Sequence, residues 1–306
     1  MKVLITGGAG FIASHIVEHF AGKAEITVLD NLRSGYRRNL EGRDVEFIEG
    51  SITDRAAVKR AVAGADYVFH LAAMVSVPES MQQPSECVDI NVHGLLNVLK
   101  ESAAADVKKL VFSSSAAIYG DNPTVPKLEN MLPEPKSPYA ITKLDGEYYC
   151  RMFAEEGRLE TCCLRYFNVF GPRQDPNSAY AAAAVPIFIS KALANEPITI
   201  FGDGTQTRDF IYVKDIVAAN IYAAANENCR GVYNVAYGKR LSINDLAERI
   251  IRLTGSKSEI HYAPERPGDV KHSQACIDQI VQAGFTPDCD FDSGLLATID
   301  YFKNTH

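Results

Sequence analysis

Short apolar runs alternate with helically spaced segments through the first half of the chain. The runs are residues 2–6 (KVLIT), 25–29 (EITVL), 45–48 (VEFI), 66–70 (DYVFH), 109–113 (KLVFS) and 160–168 (ETCCLRYFN). Between them, apolar residues recur with helical period after Gly10, near 54–63, near 84–104 and from Tyr139 to about Glu155. Runs that are apolar throughout fit strands covered on both faces. Strand–helix alternation of this kind predicts an α/β fold with a doubly wound parallel sheet of Rossmann type. Ligands of such sheets bind beyond the carboxyl ends of the strands, so the residues just after each run are where chemistry is expected.

Beyond residue 166 the regularity drops. Helices are expected over 185–195 and 242–255, a short strand and turn over 198–204, and a strand over 231–236. In the 242–255 helix, Ser242 reads as N-cap, Asp245 as N3 and Gly255 as C-cap. PERPGDV (264–270) reads as a turn-rich loop, and so does 121–138, which is rich in proline and polar residues. The expected division is a Rossmann domain over 1–166 and a smaller substrate lobe over 167–306, with the strand near 231–236 handed back to the sheet.

The first strand runs directly into Gly7, Gly8 and Gly10 and then a helix. Small residues at Gly7, Gly10 and Ala13 let the backbone turn tightly and approach a pyrophosphate at the helix N-terminus. The second strand ends at Asp30, about 20 residues further on, where a carboxylate can bond the ribose hydroxyls of a dinucleotide. It would repel a 2′-phosphate, which favours NAD over NADP; Arg33 nearby softens that preference a little. A glycine turn placed after a strand, opening a helix and followed by this acid is a specific signal.

The chain has 306 residues, 46% of them hydrophobic and 23% charged, with a net charge of −7. That balance argues against a general nucleic-acid or membrane-surface binder. No apolar run is long enough to span a bilayer, and the N-terminus does not read as a signal peptide. The seven cysteines show no CxxC pair and the seven histidines no ligand spacing, so small core residues in a reducing cytoplasm are expected, with no metal site.

SPYAITK (137–143) carries the remaining chemistry. Tyr139 and Lys143 are i and i+4 on an expected helix and share one face. A phenol is a poor base near neutral pH, and a neighbouring cation favours its ionised form. The pair alone is equally compatible with an ordinary helix. Its weight comes from the serines of SSSAAIYG (113–120), which follow a strand and face the same crevice.

With TGGAGFIASH, LDN (29–31), HLAA (70–73), SSSAAIYG, SPYAITK, RYFNVFGPRQ, FGDG, RDFIYV and ERPGD in place, the chain resembles the extended short-chain dehydrogenase/reductases. Specifically, it resembles nucleotide-sugar 4-epimerases of the UDP-glucose 4-epimerase type, nearly end to end. The resemblance implies that Tyr139 is the catalytic acid/base, that Lys143 holds the nicotinamide ribose and lowers the Tyr pKa, and that Ser115 bonds the sugar 4-oxygen. It further implies NAD contacts from Gly7, Gly10, Phe11, Ile12, Asp30, Asn31, Ser51, Ile52, Leu71, Ala72, Ala73, Asn91, Ser113, Tyr139, Lys143 and Tyr166. For the UDP-sugar substrate it implies Ser115, Asn168, Arg208, Arg266 and Ser273. Read singly, either arginine is an ordinary surface ion pair. Ser51-Ile52 departs from the usual Asp-Ile or Asp-Leu of the adenine turn. Ala116-Ala117 replaces the acids of the related 4,6-dehydratases and decarboxylases. A small residue at Ser273 implies that N-acetylhexosamine sugars are accepted beside glucose and galactose. A glucuronate 4-epimerase, a net NAD-dependent oxidoreductase and a non-catalytic NAD sensor are the alternatives on this scaffold. A homodimer built on the helices near 84–104 and 137–156 is implied as well.

Overall fold

The structure is a computed structural model that describes residues 1–176, 184–265 and 271–305. In chain order it opens with β1 (Lys2–Thr6), α1 (Phe11–Phe20), β2 (Glu25–Asp30), β3 (Glu46–Glu49), α2 (Arg55–Val62) and β4 (Tyr67–His70). There follow α3 (Val77–Gln82), α4 (Pro84–Val88), α5 (Gly94–Ala104), β5 (Lys109–Ser115), α6 (Pro138–Glu155) and β6 (Glu160–Tyr166). The second half holds β7 (Asn168–Phe170), α7 (Ala184–Leu193), β8 (Ile198–Phe201), β9 (Thr207–Arg208), β10 (Phe210–Tyr212), α8 (Val213–Ala225) and β11 (Gly231–Val235). It ends with β12 (Leu241–Ser242), α9 (Ile243–Thr254), β13 (Ile260–Ala263), α10 (Asp278–Gln282) and α11 (Phe291–Thr305).

Seven strands make one sheet in the order β11-β6-β5-β4-β1-β2-β3, and every pairing in it is parallel. The order reverses between β1 and β4, which opens a crevice at their carboxyl ends. Alternate strand residues feed two cores. Val3, Ile5, Val28, Phe69, Val111 and Leu164 face the side carrying α1 and α8. Leu4, Leu29, Val68, Leu110 and Phe112 face the side carrying α2, α5 and α6. Burial on both faces is why these strands read as unbroken apolar runs.

Local chemistry sets the helix starts. Ser137 caps α6 by accepting the Ala140 N–H (3.2 Å), with Pro138 at the first helical position. Asp54 caps α2 through Ala56 and Ala57. Ser242 caps α9 through Asp245, and Gly255 ends that helix in the left-handed region (φ 68°).

Two expected elements are divided. The helix expected over 84–104 is broken by a π-helical turn at Asp89–His93 between α4 and α5. The strand expected over 160–168 leaves the large sheet after Tyr166, and Asn168–Phe170 pairs instead with Phe210–Tyr212. Among the described residues, no helix is long and apolar enough to cross a membrane.

Candidate active site

The crevice is built around the turn from β1 into α1. Gly7 has φ +72°, and a Cβ there would lie 2.8 Å from the Ala72 backbone nitrogen. Its N–H donates to the Leu29 carbonyl (2.8 Å), and the Gly10 N–H donates back to the Gly7 carbonyl (2.9 Å). Gly10 brings no side-chain cap to α1, so the first-turn N–H groups are left for an anion. Asp30 organises the rim. It accepts the Ala9 N–H (2.9 Å) on one oxygen and the Leu32 N–H (2.8 Å) on the other. Burial pushes its carboxyl up, and these two donors pull against that shift.

Helix α6 presents Tyr139 and Lys143 to the same crevice, which β5 lines with Ser113 and Ser115. The Lys143 ammonium donates to the Ser113 carbonyl (2.7 Å) and lies 5.8 Å from the centre of the Tyr139 ring. Burial pulls the Lys143 pKa down to about 8. The Ser115 hydroxyl oxygen accepts the Ala117 N–H (3.1 Å) and so stays fixed at the strand end. Below the lysine, burial and the Lys143 charge hold His70 neutral, with a pKa of about 3. Its Nδ1 shares a hydrogen bond with the Thr6 hydroxyl (2.7 Å), and the same hydroxyl oxygen accepts the Ala72 N–H (3.3 Å).

A buried charge pair supports this part of α6 from behind. Glu147 of α6 receives Arg165 of β6 through two parallel bonds, 2.8 Å and 2.7 Å long, and also the Ser114 hydroxyl (2.5 Å). Arg165 reaches on to the Tyr119 hydroxyl (2.8 Å). Helix α6, β5 and β6 are therefore tied by charge as well as packing.

Of the residues expected to contact the cofactor, Gly7, Gly10, Phe11, Ile12, Asp30, Asn31, Ser51, Ile52, Leu71, Ala72, Ala73, Ser113, Tyr139, Lys143 and Tyr166 all line this one crevice. Asn91 corrects the expectation. It is buried behind the wall, where its Oδ1 accepts the Met74 N–H (2.7 Å) and its Nδ2 donates to the Met74 carbonyl (3.1 Å) and the Thr142 hydroxyl (3.0 Å). It ties the loop after β4 to α6 and does not face the crevice. Tyr166 forms wall with its ring while its hydroxyl donates to Asn220 (2.9 Å).

Of the expected substrate residues, Ser115 lines the crevice, and Asn168, Arg208 and Ser273 are held together around Thr207–Asp209. Asn168 donates to the Asp209 carbonyl (2.9 Å), Arg208 Nη1 to the Thr207 carbonyl (3.0 Å), and the Ser273 N–H to that same carbonyl (3.0 Å). Arg266 lies outside the described residues.

Sequence reasoning weighed Arg33 but missed the rest of two further stretches of the wall. Arg33, Ser34, Gly35 and Tyr36 pass over the glycine turn, and Arg173, Gln174 and Asp175 follow β7. The Tyr36 N–H and the Asn39 amide both donate to the Ala9 carbonyl (3.0 Å and 2.8 Å). A Cβ on Gly35 would meet Ala9 at 2.7 Å. Across the opening, the Tyr36 hydroxyl donates to Asp175 (2.5 Å). The available signal was position, since both stretches follow strand carboxyl ends.

Residues 3–236 match the NAD dependent epimerase/dehydratase family. A putative UDP-glucose 4-epimerase from Methanocaldococcus jannaschii is 36% identical over 307 residues, covering 99% of each chain. Among solved structures, a UDP-N-acetylglucosamine 4-epimerase from Methanobrevibacter ruminantium M1, in complex with UDP-N-acetylmuramic acid, is 43% identical with a TM-score of 0.95; the match covers 100% of this chain and 99% of that one. A UDP-glucose 4-epimerase from Thermus thermophilus, complexed with NAD, is 36% identical with a TM-score of 0.90, covering 100% of both.

The approach of Gly7 to Ala72 sets a test of the crevice. A Gly7→Ala chain carries about 1–3 kcal/mol of backbone strain at φ > 0, besides the clash. It is expected to bind a nicotinamide dinucleotide about tenfold or more weakly. Chromatography of nucleotide released from the purified protein reads the outcome; full occupancy would mean that the close approach is not needed.

Proposed function

Because the chain belongs to the NAD-dependent epimerase/dehydratase family, among the extended short-chain dehydrogenase/reductases, we propose that it is a UDP-sugar 4-epimerase. Its cofactor is NAD. The proposed substrates are UDP-glucose and UDP-galactose together with their N-acetylhexosamine counterparts. The observation that carries this reading is the placing of Tyr139, Lys143 and Ser115 on the crevice that the glycine turn opens. The residues fit a dinucleotide: only a hydrogen fits at Gly7 against Ala72, and Asp30 stands at the end of β2.

In the proposed reaction, Tyr139 takes the proton of the sugar 4-hydroxyl as its phenolate and returns it at the end. The Lys143 ammonium stabilises that phenolate, and Ser115 bonds the 4-oxygen. When bound, NAD supplies the group that accepts hydride from C4 and gives it back. Between the two transfers the 4-keto sugar must turn over while its diphosphate stays anchored. Arg208 and Arg266 are the proposed anchors, since guanidinium suits phosphate oxygens, with Asn168 beside Arg208. Ala116 and Ala117 supply neither acid nor base, which disfavours dehydration and decarboxylation. Ser273 lies against the Thr207–Arg208 strand; a small side chain there, and the N-acetylglucosamine 4-epimerase of similar structure, support acceptance of N-acetyl sugars.

A homodimer is also proposed. Ile141, Tyr148 and Met152 of α6 are 47%, 48% and 38% exposed, and Val88 of α4 is 39% exposed. In α6 they stand at i, i+7 and i+11, one apolar face of the kind that packs helix on helix.

Proton NMR of the purified protein with UDP-galactose, and separately with UDP-N-acetylgalactosamine, tests the activity. Growth of each gluco epimer without net NADH is expected, and Tyr139→Phe is expected to slow it by about 10²–10⁴-fold. With bound NAD verified, inertness toward both sugars would remove the assignment. The lysine sets the pH profile. Its ammonium persists below its pKa of about 8 and is lost above it, so kcat/KM is expected to fall as pH rises through that point. A profile level across it would detach Lys143 from the chemistry. Sedimentation velocity checks assembly: the native chain should run as a dimer and an Ile141→Asp/Tyr148→Asp chain as a monomer. An unmodified chain that sediments as a monomer sinks the dimer.

A further inference from the structure

Asp30 and Arg33 carry opposite preferences at one rim. A carboxylate at the end of β2 repels a 2′-phosphate, while an arginine close by is the side chain that receives one. Both residues line the crevice. The backbone of Arg33 has little freedom to retreat: its N–H donates to the Asn31 side chain (3.2 Å), and the following Gly35 and Tyr36 are pressed onto Ala9. Only the direction of the side chain remains to be set, and two carboxylates set it. Arg33 Nη2 donates to Glu79 (2.7 Å) and Nη1 to Glu86 (2.5 Å). Glu79 lies in the first turn of α3 and Glu86 in the first turn of α4.

We propose that Glu79 and Glu86 are cofactor-selectivity residues. By taking both terminal nitrogens of Arg33 they withhold its guanidinium from a 2′-phosphate, and with Asp30 they restrict the adenosine ribose pocket to NAD. Two carboxylates on one guanidinium leave the rim with net negative charge, so the same arrangement that occupies the arginine also repels the phosphate. An arginine whose position alone would count toward NADP thus works for NAD. The inference rests on the reading in which Asp30 faces the adenosine ribose.

The test is competition of NADP against NAD on the full-length protein, with bound nucleotides separated and quantified after rapid desalting. The native chain is expected to retain NAD. In Glu79→Gln/Glu86→Gln, the NADP-to-NAD binding ratio should rise about tenfold as one charge-assisted bond to phosphate becomes available. Adding Arg33→Ala to that pair should abolish the gain, and thermal melts followed by circular dichroism, which report on folding, should match the native chain for both variants. An unmoved ratio in the double variant overturns the proposal. A gain that survives in the triple variant overturns it too, because removed charge and not Arg33 would then account for it. A native chain that prefers NADP would instead overturn the ribose reading, and this inference with it.

Discussion

Where β1 hands the chain to α1, it passes the loop after β4 so closely that only a hydrogen fits between Gly7 and Ala72. Much of the crevice depends on that contact. It lets the two chain segments at the switch point lie side by side while leaving the start of α1 open. The Thr6 hydroxyl secures both sides, bonding His70 and accepting from Ala72. Asp30 repeats the device one strand away, joining the glycine turn to the loop after β2. The glycine turn and the loops after β2 and β4 are fixed to one another by hydrogen bonds, so an extended dinucleotide meets a surface already in shape.

Charge is distributed through this site with its costs covered. Lys143 is buried, and its ammonium is satisfied by a carbonyl at the end of β5. His70 below it is held neutral, so no second cation competes. Arg165 and Glu147 are both nearly inaccessible and meet through two parallel bonds. Removing either partner would strand the other charge in the core, at a cost of about 3–5 kcal/mol. Since Glu147 shares α6 with Tyr139 and Lys143, that core pair also fixes where this helix stands against β6.

How much of this the sequence could reveal depends on whether the signal is local. The parallel strands were readable because burial on both faces leaves continuous apolar runs. The glycine turn, Asp30 and the Tyr139–Lys143 pair, which line one crevice, could be picked out because each pattern rests on residues close in the chain. Partners chosen across the fold leave no spacing. Arg33 meets Glu79 and Glu86 at separations of 46 and 53 residues, and Tyr36 meets Asp175 at 139. Asn91 shows the same limit differently: its position in the helix was evident, but the π-helical turn that aims it at Met74, away from the crevice, was not. Arg208, Asn168 and Ser273 could be named one by one, yet their gathering around Thr207–Asp209 is a product of the small β7–β10 pairing and of the bridge between Thr207 and His272.

The outermost strand of the sheet comes late in the chain. β11 pairs with β6 along Gly231–Val235, and residues 167–230 lie between them. As a ribosome releases the chain from its N-terminus, β6 therefore spends that whole interval with one row of peptide groups unpaired. Parallel pairing across so long a loop is slow to form, and an open strand edge is the surface at which nascent chains stick to one another. A polypeptide stopped at Tyr166 would hold every strand of the seven-stranded sheet except β11 and still present that adhesive edge, so production of residues 1–166 alone has to supply a cover for β6.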